Sequence, residues 1–170
     1  HPDDILDLLM EHHSIDIQWG NHDILWMGAT AGSDACIATT IRNNIQYNNM
    51  QMLENGYGIS LRTLTLFAER LYPDMEPMKA ALKAISVILF KLEGQIISRH
   101  PEYNMDDRRL LHKINYENGT IEIEGKTYEM NDVNFPTVDR KNPYELSSEE
   151  KQLVKELRRM YVNNKRLKQH

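Results

Sequence analysis

The sequence predicts a mixed α/β chain, more closely an α+β fragment, in which helices predominate over a few short strands. Apolar residues recur at the spacing of an amphipathic helix over most of its 170 residues. Apolar and polar residues alternate in two short stretches, 14–19 and 121–124, as half-buried strands require. The length suits one domain or a piece of a larger protein. Helices accompanied by a small β-hairpin are therefore the expected architecture.

The first sixty residues are predicted to hold three helices and one strand. The strand has the clearest pattern, because Ile15, Ile17 and Trp19 share one side of it and Gly20 ends it. The helices follow from apolar spacing and, for the third, from a capping residue near position 33. The predicted bounds are 4–12 for the first helix, 14–19 for the strand, 23 onward for the second helix and about 34–48 for the third, capped by Ser33 or Asp34.

Most of the remaining chain is predicted to be helical as well. Pro73 and Pro101 end predicted helices, and Pro77 begins one. Ser147 and Glu150 form a capping-box pattern that opens the last helix, whose end is basic. The predicted bounds are a turn at 55–58, helices at 60–71 and 77–99, a short helix or turn at 106–113, a hairpin at 114–130, a loop at 131–146 and a helix from 147.

Composition excludes several classes of protein. The net charge of −5 offers no field that attracts nucleic acid, so no nucleic-acid partner is expected. The longest apolar run, 84–90, is far shorter than the ~20 residues that span a bilayer, so no membrane partner is expected. The single cysteine, Cys36, excludes internal disulfides and suits a reducing, cytoplasmic location. Its helical position predicts a buried, inert thiol.

The residues that carry chemistry are Trp19-Gly20-Asn21-His22-Asp23, a segment in which a predicted strand passes into a helix. The amide oxygen of Asn21 is a neutral hard ligand that suits Mn²⁺ or Mg²⁺. The imidazole of His22 can ligate a metal or donate a proton near neutral pH. Asp23 can orient that imidazole or pair with a cation. The segment therefore predicts one corner of a metal-dependent catalytic site.

A purely structural role is the alternative for the same segment. In that interpretation Asn21 only takes a turn conformation and His22 is a surface residue, as in a mostly helical interaction module. Gly-Asn-His followed by an acid arises by chance in roughly one chain of this length in a thousand. The strand predicted immediately before it favours the functional interpretation.

Gly20-Asn21-His22-Asp23 resembles the Gly-Asn-His-Asp/Glu motif of the calcineurin-like metallophosphoesterases. The longer run His13–Ala29, with Ala31-Gly32, Ala35–Ala38, Glu54–Ile59 and Leu61-Arg62, is similar to one group of them, the class III fructose-1,6-bisphosphatases of Firmicutes and related bacteria. The opening His1-Pro2-Asp3 resembles the end of that family's Gly-Asp-x-x-Asp-Arg-Gly-Pro-His-Pro-Asp stretch. The resemblance is close over residues 1–72 and looser beyond them.

This resemblance implies a β-sandwich flanked by helices, with two divalent metals, expected to be Mn²⁺, that bind phosphate and activate water. By matching position, Asn21 would ligate a metal and the phosphate. His22 would be the general acid that protonates the leaving sugar alkoxide, and Asp23 would hold His22 or contact an arginine. The implied reaction is hydrolysis of the 1-phosphate of fructose 1,6-bisphosphate, a gluconeogenic step in the bacterial cytoplasm.

The chain departs from the family pattern because no Asp-x-His, Gly-Asp-x-x-Asp or later Gly-His motif is present. It is therefore expected to be an internal fragment that is inactive and binds metal weakly in isolation. Its expected partners are a sugar bisphosphate and either a second copy or the rest of the parent chain. A protein phosphatase or nucleotidase of the same superfamily is the competing activity. The expected segments are a partial catalytic core at 1–60, helices at 61–113, a hairpin and loop at 114–146 and an amphipathic helix at 147–170.

The other histidines and the arginines are expected to be mainly structural. The histidines at 12, 13, 100 and 112 fall near predicted helix ends, where solvent satisfies them. Three arginines are candidates for binding the second phosphate by paired contacts, and the sequence does not choose among them: Arg42, Arg62 and Arg99.

Overall fold

The computed structural model of the protein describes residues 2–12 and 14–170, and for Pro2 the backbone alone. The predicted α+β class is confirmed, because helices predominate and the strands described form one small antiparallel sheet. The α-helices are α1 Pro2–Met10, α2 Asn21–Thr30, α3 Asp34–Gln46, α4 Arg62–Leu71, α5 Pro77–Arg99, α6 Ser148–Val162 and α7 Lys165–Gln169; the strands are β1 Ile114–Asn115, β2 Thr120–Ile123 and β3 Lys126–Glu129. Helices α1 to α6 begin within two residues of the predicted positions.

Short helical segments occur at three of the predicted features; two differ from the prediction, and the short helix or turn predicted at 106–113 is confirmed. A π-helical turn at Met52–Gly56 stands where a simple turn was predicted at 55–58. The segment 106–113 contains 3₁₀ turns at Asp106–Arg108 and Leu111–Lys113. The basic end of the last predicted helix is a separate helix, α7, because Asn164 breaks α6 and caps the new start by accepting from Leu167 N–H at 3.0 Å.

The chain forms two compact units, of which the first comprises His1–Ile85 and Gln152–His170. Its core is apolar and includes Ile41, Leu53 and Leu64, all fully buried. Tyr161 of α6 is buried beside them, and its hydroxyl accepts a hydrogen bond from Thr40 of α3 at 3.0 Å. Burial raises the pKa of Tyr161 well above its usual value, so the side chain stays a neutral hydrogen-bond partner.

Helices α2 and α3 pack as a tight hairpin within this unit. Gly32, with φ of +93°, makes the connection, and Ser33 caps α3 by accepting from Cys36 N–H at 3.4 Å. A Cβ on Gly28 would lie 2.6 Å from the Cys36 sulfur, so the hairpin needs glycine there. The sequence predicted a buried, inert thiol, and Cys36 is instead half-buried. The close contact with α2 at Gly28 covers one side of its sulfur.

Replacing Gly28 with alanine is expected to destabilise the chain by about 1 kcal/mol. Overpacking costs about 1–3 kcal/mol, and the better helix propensity of alanine offsets about 1 kcal/mol of that. Urea unfolding followed by circular dichroism measures the effect. In the Gly28→Ala/Cys36→Ala variant the sulfur is gone, so the double variant should lose less stability than the two single changes added together. Strict additivity of the two changes would contradict the contact.

Helix α1 is held to α7 by a cluster of charged side chains. Arg166 lies 2.9 Å from the carboxylate of buried Asp3 and 2.5 Å from that of Asp7. The ring of His170 lies 2.8 Å from Asp7 and 3.0 Å from the Tyr57 hydroxyl. The hydrogen bonds from His170 and Arg166 hold the pKa of Asp7 below its ordinary value of 3.8. The acidic side of α1 therefore faces the protein, and the apolar side, with Ile5 and Leu8, faces solvent.

The strand predicted at 14–19 is wrong, because residues 15–20 have no regular secondary structure. Ile15, Ile17 and Trp19 are 39%, 55% and 64% exposed, so the predicted apolar side is uncovered. A strand needs a neighbour that accepts its backbone hydrogen bonds. Among residues 2–12 and 14–170 the strands all lie at 114–129, in the other unit, and none pairs with this segment.

The second unit comprises Ser86–Lys151 and contains the sheet. Its three strands follow the order β1-β2-β3, with Ile121 opposite both Ile114 and Tyr128. The β2–β3 turn places Glu124 and Gly125 at positive φ, which matches the predicted hairpin. The implied β-sandwich has no counterpart among the strands that the structure describes.

A buried ion pair joins three segments of the second unit. The ammonium of Lys91 lies 2.7 Å from the Glu150 carboxylate and donates to the Thr137 carbonyl at 2.6 Å. Both charged side chains are at most 1% exposed. Glu150 also accepts from Ser147 N–H at 2.7 Å while Ser147 accepts from Glu150 N–H at 3.1 Å, so the predicted capping box is confirmed. The pair thus fixes the start of α6 against α5 and the preceding loop.

No helix within the described residues combines the length and the apolar character that crossing a bilayer requires.

Candidate functional site

The start of α2 carries the three predicted site residues. Gly20 precedes the helix in an extended conformation, and Asn21, His22 and Asp23 form its first turn. The Asp23 carboxylate accepts a hydrogen bond from Gly20 N–H at 2.6 Å. This carboxylate therefore satisfies a backbone donor at the helix start and complements the positive end of the helix dipole.

All three side chains are exposed and belong to one helical turn. Asn21 and His22 carry no hydrogen bond to another described residue, whereas Asp23 is used to cap the helix. The structure thus brings the three residues together in one helical turn. The segment before that turn is irregular, whereas a strand was predicted there. Two polar side chains at such an open position are accessible to a ligand from solvent.

Two cavities adjoin this turn. His22 lines a cavity of about 180 Å³ together with Trp26 of α2 and asparagines from the end of α3 and the turn after it. Asp23 lines a larger and mostly apolar cavity of about 490 Å³ that also contacts Trp19 and Tyr57. The sequence interpretation missed the asparagines, although the helical spacing of Thr40, Asn43 and Asn44 could have placed them on the same side of α3.

The other histidine candidates within the described residues form hydrogen bonds away from the start of α2. His12 accepts from Ser14 N–H at 3.3 Å, and His13 lies outside the described residues. His100 bonds Glu102 at 2.8 Å and stacks on Tyr103. His112 bonds the Tyr144 hydroxyl at 2.7 Å, and burial lowers its pKa, with Arg109 and Lys113 adding to that effect. These contacts indicate structural roles in the second unit for His100 and His112.

The arginine candidates lie at three separate places in the chain. Arg42 is a half-buried residue of α3, Arg62 is the exposed first residue of α4, and Arg99 is the exposed last residue of α5. Neither Arg42 nor Arg62 lines the cavity at His22. The substrate-binding cation therefore remains unassigned by this geometry.

The residues present do not make a metal site by themselves. Among residues 2–12 and 14–170, no group of three His, Cys, Asp or Glu side chains is placed to hold a metal ion. Asn21 and His22 offer one oxygen and one nitrogen donor, and a two-metal centre needs several more ligands.

Residues 1–170 match the family described as Firmicute fructose-1,6-bisphosphatase over the full chain. The chain therefore belongs to the Firmicute fructose-1,6-bisphosphatase family. This membership indicates a requirement for a divalent metal. The resemblance to the class III fructose-1,6-bisphosphatases, noted from the longer run around the Gly-Asn-His-Asp motif, is confirmed.

Three relatives illustrate the similarity. A fructose-1,6-bisphosphatase class 3 of Clostridium beijerinckii is 49% identical over 99% of this chain. The enzymes of the same name from Alkaliphilus metalliredigens and Clostridium novyi are 47% and 48% identical over 99% and 98% of it. In each case the chain spans 28% of the relative's own length. No solved structure matches the chain.

Proposed function

We propose that this chain supplies the proton-donating corner of a metal-dependent phosphatase that removes the 1-phosphate of fructose 1,6-bisphosphate. The observation that carries the proposal is the match of the whole chain to the bisphosphatase family. The position of His22 supports it, because an exposed imidazole in the first turn of α2 borders a cavity that can receive part of a substrate.

His22 acts as the general acid in this reaction. A water oxygen forms a bond to phosphorus and loses a proton to solvent, the bond from phosphorus to the oxygen on carbon 1 breaks, and the imidazolium gives its proton to that leaving oxygen. Asp23 holds the turn by accepting from Gly20 N–H, which keeps His22 in place. Asn21 contributes one oxygen ligand to a divalent metal, Mn²⁺ in this proposal, and its other ligands come from outside residues 1–170.

The proposal extends to the partners and the cellular location of the enzyme. The large apolar side chains exposed between residues 5 and 27 suit burial against the rest of the parent chain or a second copy. The acidic net charge and the metabolic family favour a cytoplasmic enzyme that binds neither nucleic acid nor membrane.

A panel of phosphoesters tests the activity. The full-length protein that carries this chain, supplied with Mn²⁺, is assayed for phosphate release from fructose 1,6-bisphosphate, fructose 6-phosphate, a nucleoside monophosphate, a phosphoserine peptide and phenyl phosphate. We expect kcat/KM for the bisphosphate to exceed each of the others, with no turnover by the 170-residue chain alone. A higher kcat/KM for the nucleotide or the phosphopeptide would contradict the proposal and indicate a nucleotidase or a protein phosphatase.

A further inference from the structure

The cavity beside His22 is lined by neutral groups. Its nine lining residues include no Lys, Arg, Asp or Glu, and His22 is the one that can take a charge. The lining residues with polar side chains include three asparagines, Asn43, Asn44 and Asn49. A phosphate dianion would therefore find little compensating charge inside this cavity. An uncharged polar group is a better occupant.

The floor of the cavity is rigid. Asn44 is 6% exposed and its amide donates to the Thr40 carbonyl at 2.8 Å. Thr40 in turn is 2% exposed and bonds the buried Tyr161 hydroxyl. The backbone N–H of Asn49 donates to the Asn44 carbonyl at 2.8 Å, which fixes the turn after α3. These bonds fix the Asn44 side chain and the backbone of the turn that carries Asn49 before a ligand arrives.

The chemistry of the lining matches a sugar. An asparagine amide has both donors and an acceptor, as does each sugar hydroxyl, so one side chain can serve a hydroxyl in either direction. Trp26 and Tyr47 add aromatic surface to the same cavity, which suits the carbon–hydrogen side of a sugar ring.

We propose that this cavity is a sugar-hydroxyl subsite, in which Asn43 and Asn49 contact the hydroxyls of the fructose ring while His22 protonates the leaving oxygen on carbon 1. This inference rests on the proposed phosphatase activity. Asn43 is half-buried on α3 and Asn49 is exposed on the following turn, so the two side chains reach the cavity from different elements. They set which phosphoester is preferred, and they take no part in proton transfer.

The test compares two substrates in the full-length enzyme. Asn43→Ala and Asn49→Ala should each raise KM for fructose 1,6-bisphosphate and lower the ratio of its kcat/KM to that of phenyl phosphate by about three- to ten-fold, the loss expected for one neutral hydrogen bond. Asn49→Asp places a negative charge beside a doubly phosphorylated ligand and should lower the ratio further. The matched control, Asn131→Ala, changes an exposed asparagine in the loop of the second unit and should leave the ratio unchanged.

The outcomes separate the two proposals. If the unchanged enzyme does not prefer the bisphosphate, the proposed activity fails before any variant is made. The subsite proposal is contradicted if the unchanged enzyme prefers the bisphosphate and all three variants, Asn43→Ala, Asn49→Ala and Asn49→Asp, keep the unchanged ratio of the two kcat/KM values. Thermal unfolding of each variant identifies misfolding, and Asn49, being exposed, provides a position whose change does not disturb the core.

Discussion

Replacing His22 with alanine in the full-length phosphatase is expected to lower kcat for fructose 1,6-bisphosphate by about 10²- to 10⁴-fold, the usual contribution of a general acid. The side chain is exposed in the first turn of α2, so the loss cannot be attributed to core packing. Metal content, measured by elemental analysis, should be nearly intact, because the proposed ligand at this corner is Asn21. Asn21→Ala should instead reduce metal or phosphate binding.

Comparing two leaving groups tests whether His22 donates a proton. A sugar alkoxide must be protonated as it leaves, whereas 4-nitrophenolate is stable without a proton. The His22→Ala loss should therefore be much smaller with 4-nitrophenyl phosphate than with fructose 1,6-bisphosphate. His100→Ala is the matched control, because His100 bonds Glu102 and stacks on Tyr103 in the second unit. An equal loss on both esters would argue against proton donation by His22.

Breaking the buried Lys91–Glu150 pair is expected to produce the largest loss of stability. Lys91→Met leaves the Glu150 carboxylate buried without its counter-charge, which costs about 3–5 kcal/mol in comparable pairs. The Thr137 carbonyl also loses the ammonium that it accepts from. Urea unfolding at neutral pH, followed by circular dichroism, measures the change in the free energy of unfolding.

Two further variants make the ion-pair prediction specific. Lys91→Met/Glu150→Leu removes both charges and should recover most of the loss, because two apolar side chains can fill the same space without a desolvation cost. Lys151→Met changes an exposed lysine, 58% accessible, whose contact with Glu145 spans 3.2 Å, so its effect should stay within about 1 kcal/mol. A double variant no more stable than Lys91→Met would mean that the pair is not the source of the effect.

The long helices were predictable because their information is local. Apolar spacing, Pro77 and the Ser147–Glu150 capping box lie within the segments that they shape. The stretch 14–19 carries an equally clear alternation, yet it forms no strand here, because a strand is completed only by a partner. The ion pair of Lys91 has no local signal either, since its partner is 59 positions away in the chain.

One part of the candidate site could be predicted from the sequence and another part could not. The Gly-Asn-His-Asp motif is recognisable because its four residues are consecutive. Residues so close in sequence also share the first turn of α2. The cavity at His22 depends on how the α2–α3 hairpin closes at Gly28 and on the turn that brings Asn49 back to Asn44. The residues that line this cavity come from several segments, so no local sequence pattern predicts it. The sequence therefore indicates which residue could move a proton, and the packing indicates what could lie beside it.

The contacts of Arg166 with Asp3 and Asp7 have a topological consequence. They join Asp7 to Arg166 across 159 positions of sequence, so α1 meets α7 only when a long loop of chain has closed. Contacts of such high sequence separation slow folding more than they change stability, so the docking of α1 on α7 should affect the folding rate more than the free energy of unfolding.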